Sequence, residues 1–183
     1  MKIALAMLLT AALAAGAAAQ DSSRVIREYA VPSHGKFVLE VPSDWQQAGR
    51  GQEEPPSAHI LVTSAATDRF RIQVSAIWLD AEGIAKSTPE DLKETLRLSA
   101  REPLQEAVEP EAELLELKGA QSHGWYYALT DREVPAGEYK YLIQGIQLTG
   151  ELLTVYTVLY HDAALPERQA ILDMFAGARH LPN

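Results

Sequence analysis

The segment from residue 139 to residue 160 constrains the fold most, because it is apolar on both faces of a predicted β-hairpin. Its turn is expected near Thr149, Gly150 and Glu151. The apolar side chains are Leu142, Ile146 and Leu148 on one face and Tyr139, Tyr141 and Ile143 on the other. A sheet that is apolar on both faces must be covered on both sides. The chain is therefore expected to fold in layers around this hairpin.

Alternating apolar residues predict five further strands. They are expected at residues 35–42, 59–64, 70–79, 113–117 and 124–131. Residues 20–29 are polar and are predicted to be a flexible N-terminal segment, and residues 46–57 carry the Gly and Pro of a surface loop. Residues 30–183 then form a single domain.

Two helices are predicted from their end signals. Thr88 can cap a helix that has Pro89 at its first position, and Pro103 is expected to end or kink it. Asp162 can cap a second helix. Arg179 and His180 lie near its predicted C-terminus, where the negative end of the helix dipole favours basic side chains. The apolar stripe of this helix is Leu165, Ile171, Leu172 and Phe175. The order of elements predicts an α+β fold, a mostly antiparallel sheet covered by helices on both faces.

The first 19 residues have the pattern of a cleaved signal peptide. Met1 and Lys2 precede an uncharged run rich in Ala and Leu, which ends in small residues at Ala17, Ala18 and Ala19. Cleavage after Ala19 makes Gln20 the first residue. The run is short for a bilayer span, and no second apolar run of that length follows. We expect a periplasmic protein with no membrane span after cleavage.

Composition excludes several classes of function. The 183 residues include no cysteine, which rules out disulfides, thiolate metal sites and a cysteine nucleophile. The net charge of −9 argues against binding nucleic acid or an anionic membrane surface. The five histidines lack the i, i+2 or i, i+4 spacing of paired metal ligands. We therefore predict no metal and no cofactor.

A set of short motifs resembles PsbP-like and Mog-type domains. The motifs are Val41-Pro42-Ser43-Asp44-Trp45, the helix start at residues 88–92, Gly124-Trp125-Tyr126-Tyr127, the long hairpin and a terminal helix with Phe175. The resemblance covers about residues 30–180 and includes no catalytic signature. It implies an α/β/α sandwich of the kind used by accessory and assembly factors. It also implies a binding or assembly task for this chain.

No catalytic residue is predicted. Gly-x-Ser-x-Gly and Gly-rich phosphate loops are missing from the sequence. His161-Asp162 is the only histidine next to an acid, and we interpret it as a strand end followed by a helix cap. A Ser–His–acid set brought together in space stays open as an alternative, because such a set is defined by geometry.

Six residues are candidates for binding a ligand or a partner. Trp45 follows a strand in a predicted turn and is the tryptophan most expected to be exposed. His123 and Trp125 lie together at a strand start, where they could line a pocket. Glu106, Glu109 and Glu111 belong to an acidic stretch, either solvated or complementary to a basic partner.

Three functions follow from these patterns. The first is a non-enzymatic accessory or assembly protein that binds a protein partner, which the acidic stretch suggests is basic. The second is a carrier of a small apolar or peptidic ligand held between sheet and helix. The third is a hydrolase with an unrecognised His–acid pair.

Overall fold

The computed structural model describes residues 23–50, 57–64 and 68–183, with no side-chain description at 48–50, 57, 58 and 64. The predicted signal peptide and its cleavage site lie outside these residues. Within them, no helix is long and apolar enough to cross a membrane. No group of three or more His, Cys, Asp or Glu in this part of the chain could hold a metal ion.

A small antiparallel sheet is built from the two ends of the described chain. Its order is β1 (Arg24–Ala30), β2 (Lys36–Pro42) and β10 (Arg179–Leu181). The prediction that residues 20–29 are flexible is wrong from Arg24 onward, because β1 pairs with β2 along its whole length. Tyr29 points inward from β1 onto the buried core, and this burial holds the strand in place.

The larger sheet has seven antiparallel strands in the order β3-β4-β5-β9-β8-β7-β6. Their bounds are β3 (Trp45–Arg50), β4 (Ser57–Ser64), β5 (Phe70–Trp78), β6 (Leu115–Lys118), β7 (Ser122–Thr130), β8 (Tyr141–Thr149) and β9 (Leu152–Tyr160). The predicted hairpin is β8 and β9, and it turns at Gly150 with φ +59°. The surface loop predicted for 46–57 is wrong for 46–50, which form most of β3.

Within the described ranges four helices accompany the sheets: α1 (Ala81–Ala85), α2 (Pro89–Ser99), α3 (Pro103–Glu106) and α4 (Arg168–Ala176). Helix α2 begins as its sequence predicts, with the Thr88 hydroxyl accepting from the Asp91 N–H and the Asp91 carboxylate accepting from the Thr88 N–H. Asp162 does not cap α4. Its carboxylate accepts from the N–H of Ala164 in a turn, and the helix begins several residues later.

Two apolar cores lie on opposite faces of the large sheet. One face packs against the small sheet and α4, with Phe37, Phe70 and Phe175 among its fully buried residues. The other face packs against α2 through Leu92 and Leu96, over β7 and β8. The mostly antiparallel α/β architecture is thus confirmed. The prediction that helices cover both faces of the sheet is not confirmed, because the small sheet covers much of one face.

Hydrogen bonds from the large sheet hold the C-terminal end of α4. The Ser122 hydroxyl donates to the carbonyl of Ala176 at 2.7 Å, and the Gln147 side-chain amide donates to the carbonyl of Phe175 at 3.0 Å. These two bonds satisfy carbonyls that a helix end leaves without a partner. The Tyr156 ring stacks on Phe175 at 3.7 Å between centroids, so apolar packing fixes the same helix end.

Candidate functional site

Polar side chains gather at one end of the large sheet, where β5 and β8 begin and β9 ends. Adjacent antiparallel strands place the start of one beside the end of the next, and Tyr141 and Phe70 both pair with Tyr160. Residues just outside these strands must therefore meet. The residues brought together are Asp68, Arg69, Arg71, Tyr139, His161 and Asp162, which we call the Tyr139 cluster.

Tyr139 is the centre of this cluster. Its hydroxyl donates to the Asp68 carboxylate, its ring stacks on His161 with 4.4 Å between centroids, and the Arg71 guanidinium lies 5.4 Å above the ring centroid. Burial and the Asp68 carboxylate raise the pKa of Tyr139 to about 12, against the smaller opposing effect of Arg71. The phenol is therefore a fixed hydrogen-bond donor at neutral pH.

Two surface cavities flank the cluster. One of about 290 Å³ is lined by Asp68, Arg69, His161, Asp162, Leu165 and Pro166. The other, of about 180 Å³, lies toward α3 and includes Glu106, Asp131, Tyr139 and Lys140 in its lining. Both volumes are at or below the low end of about 300–1,000 Å³ that is usual for small-molecule sites. Each cavity can hold a small ligand or one side chain of a partner.

The structure brings His123 and Trp125 together with a carboxylate, but at another place on the sheet. The imidazole of His123 and the amine of Lys118 both bond the Glu116 carboxylate, at 2.8 and 2.9 Å. The Lys118 and His123 bonds hold the pKa of Glu116 below its usual value. The indole N–H of Trp125 donates to the carbonyl of Pro89 at 3.0 Å. The ammonium of Lys93, on α2, lies 4.1 Å from the centroid of the Trp125 ring.

The prediction that Trp45 is exposed is wrong. Its side chain is 3% exposed at the start of β3, where the ring packs edge-on against Phe70 in the core between the sheets. The turn that the sequence predicts here does occur at residues 43 and 44, but the chain then enters the large sheet. A residue buried in this way cannot contact a partner at the surface.

The three acidic candidates divide into two kinds. Glu109 is half-buried, and its carboxylate accepts from both the N–H and the hydroxyl of Thr130 at 2.8 Å. These hydrogen bonds lower the pKa of Glu109 although desolvation opposes them, so this residue supports the chain after α3. Glu106 and Glu111 are exposed carboxylates on the same surface.

Five histidines lie in the described residues, and their contacts differ. A relay of the hydrolase type needs a histidine that bonds both a carboxylate and a hydroxyl. His123 bonds a carboxylate, His161 stacks on Tyr139, His34 stacks on Trp78 at 3.8 Å, and His180 bonds backbone groups. None of these four described histidines makes both contacts. His59 bonds the Ser75 hydroxyl at 2.8 Å on the α2 side of the sheet.

The Tyr139 cluster was not among the sequence candidates. The predicted hairpin alone implies that residue 139 lies near residue 161, because the two flank paired strand ends. Asp68 joins them only because β5 pairs with β9, a contact between distant parts of the chain. No local pattern in the sequence specifies that pairing.

Comparison with known proteins supports the fold. No family model matches the sequence, and no curated protein matches it. The solution structure of cyanobacterial PsbP (CyanoP) from Synechocystis sp. PCC 6803 aligns with a TM-score of 0.55 and 9% identity, over 92% of this chain and 99% of that one. A crystal structure from Bacteroides thetaiotaomicron VPI-5482 aligns with a TM-score of 0.53 and 15% identity over 79% of this chain, which spans 45% of that protein. The chain therefore has a PsbP-like fold, and its likeness to Mog-type domains stays a prediction.

Proposed function

We propose that this protein is an exported, non-enzymatic accessory or assembly protein that binds a basic protein partner. The binding surface we assign is the one formed by α2, α3 and the chain leading into β6, here called the acidic face (residues 90–116). This proposal joins the role implied by the sequence resemblance to a particular region of the fold.

One observation carries the proposal: the acidic face combines strong negative charge with exposed apolar side chains. It contains nine acidic and three basic residues, a net charge of −6. Within it Leu98 is 46% exposed and Val108 is 61% exposed. Apolar contact supplies affinity and complementary charge supplies rate and specificity, so a basic segment that carries an apolar side chain suits this surface.

The rigid framework beneath the acidic face favours docking over folding on binding. The inward side of α2 is fixed by the burial of Leu92 and Leu96, and the chain after α3 is fixed by the Glu109 bonds to Thr130. Glu106 and Glu111 remain at the surface, and neither makes an ion pair within the described residues. Their carboxylates are available for a partner's Lys or Arg.

Site-specific photo-crosslinking in the native host tests this proposal. A benzophenone amino acid replaces Leu98 in one variant and Val108 in another, and the matched control replaces Glu40, an exposed residue of β2. We expect one discrete adduct from positions 98 and 108 and none from position 40. In the triple variant Glu106→Gln, Glu111→Gln and Glu113→Gln the yield of that adduct should fall about tenfold, because three attractive charges are lost.

Two outcomes would contradict the proposal. One is the absence of a discrete adduct from both positions on the acidic face. The other is an adduct whose yield does not depend on the three carboxylates, since charge complementarity is the reason for choosing a basic partner. An adduct of twice the mass of the chain is a self-contact and counts as the first outcome.

Export is a separate part of the proposal and has its own test. Intact mass and N-terminal sequencing of the protein recovered from its host should give Gln20 as the first residue. Recovery of a chain that still begins at Met1 would contradict export by a cleaved signal peptide. It would not affect the proposal that the acidic face binds a partner.

A carrier of a small ligand is the second candidate, favoured by the 290 Å³ cavity of the Tyr139 cluster. Leu165 and Pro166 give it an apolar side, while Arg69 and His161 give it polar groups. Native mass spectrometry of the protein from its host tests this candidate. Extra mass that is lost on denaturation, and that is absent from a Leu165→Arg variant that still folds, would support the carrier function over the partner function.

A further inference from the structure

Strand β1 is an edge of the small sheet. It pairs with β2 on one side and has no strand on its other side among the described residues. Edge strands of this length offer a row of backbone groups to another chain unless something blocks them. Ile26 in the middle of β1 is 62% exposed, which is the largest value among the large hydrophobic side chains of the described residues.

The backbone of β1 shows which groups are free. The carbonyl of Ser23 accepts from the N–H of Ser43, and the N–H of Val31 donates to the carbonyl of Gly35, both in the β1–β2 register. Hydrogen-bonded pairs alternate along an antiparallel ladder, so the odd-numbered residues of β1 bond to β2. The even-numbered residues Arg24, Ile26 and Glu28 therefore direct their N–H and C=O groups outward.

We propose that β1 pairs in antiparallel fashion with β1 of a second copy of this chain, with the two Ile26 residues opposite each other. In this register Arg24 of each copy lies opposite Glu28 of the other, because both are two residues from Ile26. Opposite charges across an antiparallel pair stabilise it. Three hydrogen-bonded residue pairs supply six backbone hydrogen bonds, and the small sheets of the two copies become one sheet of six strands.

Other registers of self-pairing are less favourable. Registers centred on Arg24, Arg27 or Glu28 place like charges directly opposite each other. A register centred on Val25 sets Arg24 opposite Ile26 and leaves Glu28 without Arg24. In registers that place even-numbered residues opposite odd-numbered ones, the outward N–H and C=O groups of the two strands do not face each other and cannot form the ladder. The sequence of β1 is thus self-complementary in one register, which is why the occupant is a second copy.

Existing contacts support the charges at this edge. Glu28 already accepts from the ammonium of Lys36 at 2.6 Å, and Arg24 lies 4.0 Å from the Asp173 carboxylate. Pairing of two copies extends these contacts into a network of alternating charge. The paired area is one short strand from each copy, well below the roughly 1,600 Å² of a standard interface, so the dimer should be weak, with a Kd on the order of micromolar or above.

Sedimentation equilibrium over a range of concentrations tests this proposal on the purified protein as its host processes it. Glu28→Arg and Arg24→Glu should each raise the dimer Kd about tenfold or more, because each sets like charges opposite each other. The double variant Arg24→Glu with Glu28→Arg should return the Kd to near the wild-type value. The control Glu40→Arg makes the same charge change as Glu28→Arg. Glu40 lies on the same face of the small sheet but on β2, so this variant should leave the Kd unchanged.

Ile26→Pro provides a second, independent variant. It removes an outward N–H and no bond to β2, so it should abolish the dimer while the thermal midpoint of the monomer changes little. The proposal is overturned by a wild-type protein that stays monomeric up to about millimolar concentration, the weak limit for such an interface. A dimer that survives Ile26→Pro, or a folded double variant that fails to recover, overturns it as well.

Discussion

Tyr139 joins three parts of the chain through a single side chain. Its hydroxyl bonds Asp68 before β5, its ring stacks on His161 after β9, and Arg71 of β5 lies over the ring. Removing any one partner therefore changes the electrostatic surroundings of the phenol. The residue forms part of the wall of the cavity toward α3 and touches residues that line the cavity beside α4.

The raised pKa of Tyr139 predicts how stability depends on alkaline pH. The folded value of about 12 lies above the unfolded value of about 10, so the folded state holds this proton more tightly. The resulting contribution to stability is complete below about pH 10 and is lost as the pH rises toward 12. Unfolding free energies measured from pH 9 to 12 should fall less steeply in Tyr139→Phe than in the wild type.

Replacing Asp68 tests whether its carboxylate contributes to the raised pKa of Tyr139. Asp68→Asn removes the negative charge that opposes a tyrosinate, so the pKa of Tyr139 should fall. The titration is followed by the NMR shift of the ring Cζ, assigned with the Tyr139→Phe variant. An unchanged or higher pKa in Asp68→Asn would show that the carboxylate does not contribute as the geometry indicates.

At the scale of elements, β10 is held by one histidine. His180 is buried, its Nε2 lies 2.7 Å from the carbonyl of His34, and its Nδ1 accepts from the N–H of Glu151 at 3.3 Å. These bonds tie β10 to the turn between β1 and β2 and to the turn between β8 and β9. The sequence places His180 at a helix end, but α4 ends at Ala176 and the chain returns as a strand.

His180→Ala is expected to destabilise the protein by about 1–3 kcal/mol, since two backbone groups lose their partner at a buried site. Urea denaturation measures this change. His161→Ala is the control: it removes the same side chain from an exposed position, where the stack on Tyr139 is lost, and should cost less, about 0.5–1 kcal/mol. Equal effects of the two substitutions would contradict the role of His180.

Elements whose ends are encoded locally could be predicted from the sequence. Thr88, Pro89 and Asp91 specify the start of α2 by themselves, and the structure has the same cap. The start of α4 could not be predicted from Asp162, because that side chain is used in a turn. Strand β1 was missed because Arg27 occupies an inward position between Val25 and Tyr29, where alternation alone expects an apolar residue.

The site was less predictable than the fold for a related reason. His123 and Trp125 are neighbours on one face of β7, a placement that follows from alternation along a single strand, and their role in binding stays a prediction. The Tyr139 cluster depends on pairing between β5 and β9, which are separated by more than 70 residues. Trp45 was misplaced because its burial depends on the same sheet order, which brings Phe70 against its ring.

At the scale of the whole molecule, the large sheet links the two apolar cores. Ile143 of β8 and Tyr156 of β9 point into the core beneath the small sheet, while Ile146 and Val155 of the same strands point toward α2. Loss of β8 or β9 would therefore open both cores. The layers on the two faces should not unfold independently.

Two single-tryptophan proteins test this coupling. The variant that keeps Trp45 reports on the core between the sheets, and the variant that keeps Trp125 reports on the α2 side. We expect the fluorescence midpoint of each protein in urea to coincide with the midpoint of its own far-ultraviolet circular dichroism, as in a two-state transition. An earlier midpoint for Trp125 alone would mean that α2 detaches first. In that case the acidic face would be a separately mobile layer, and the rigid docking surface proposed for it would have to be given up.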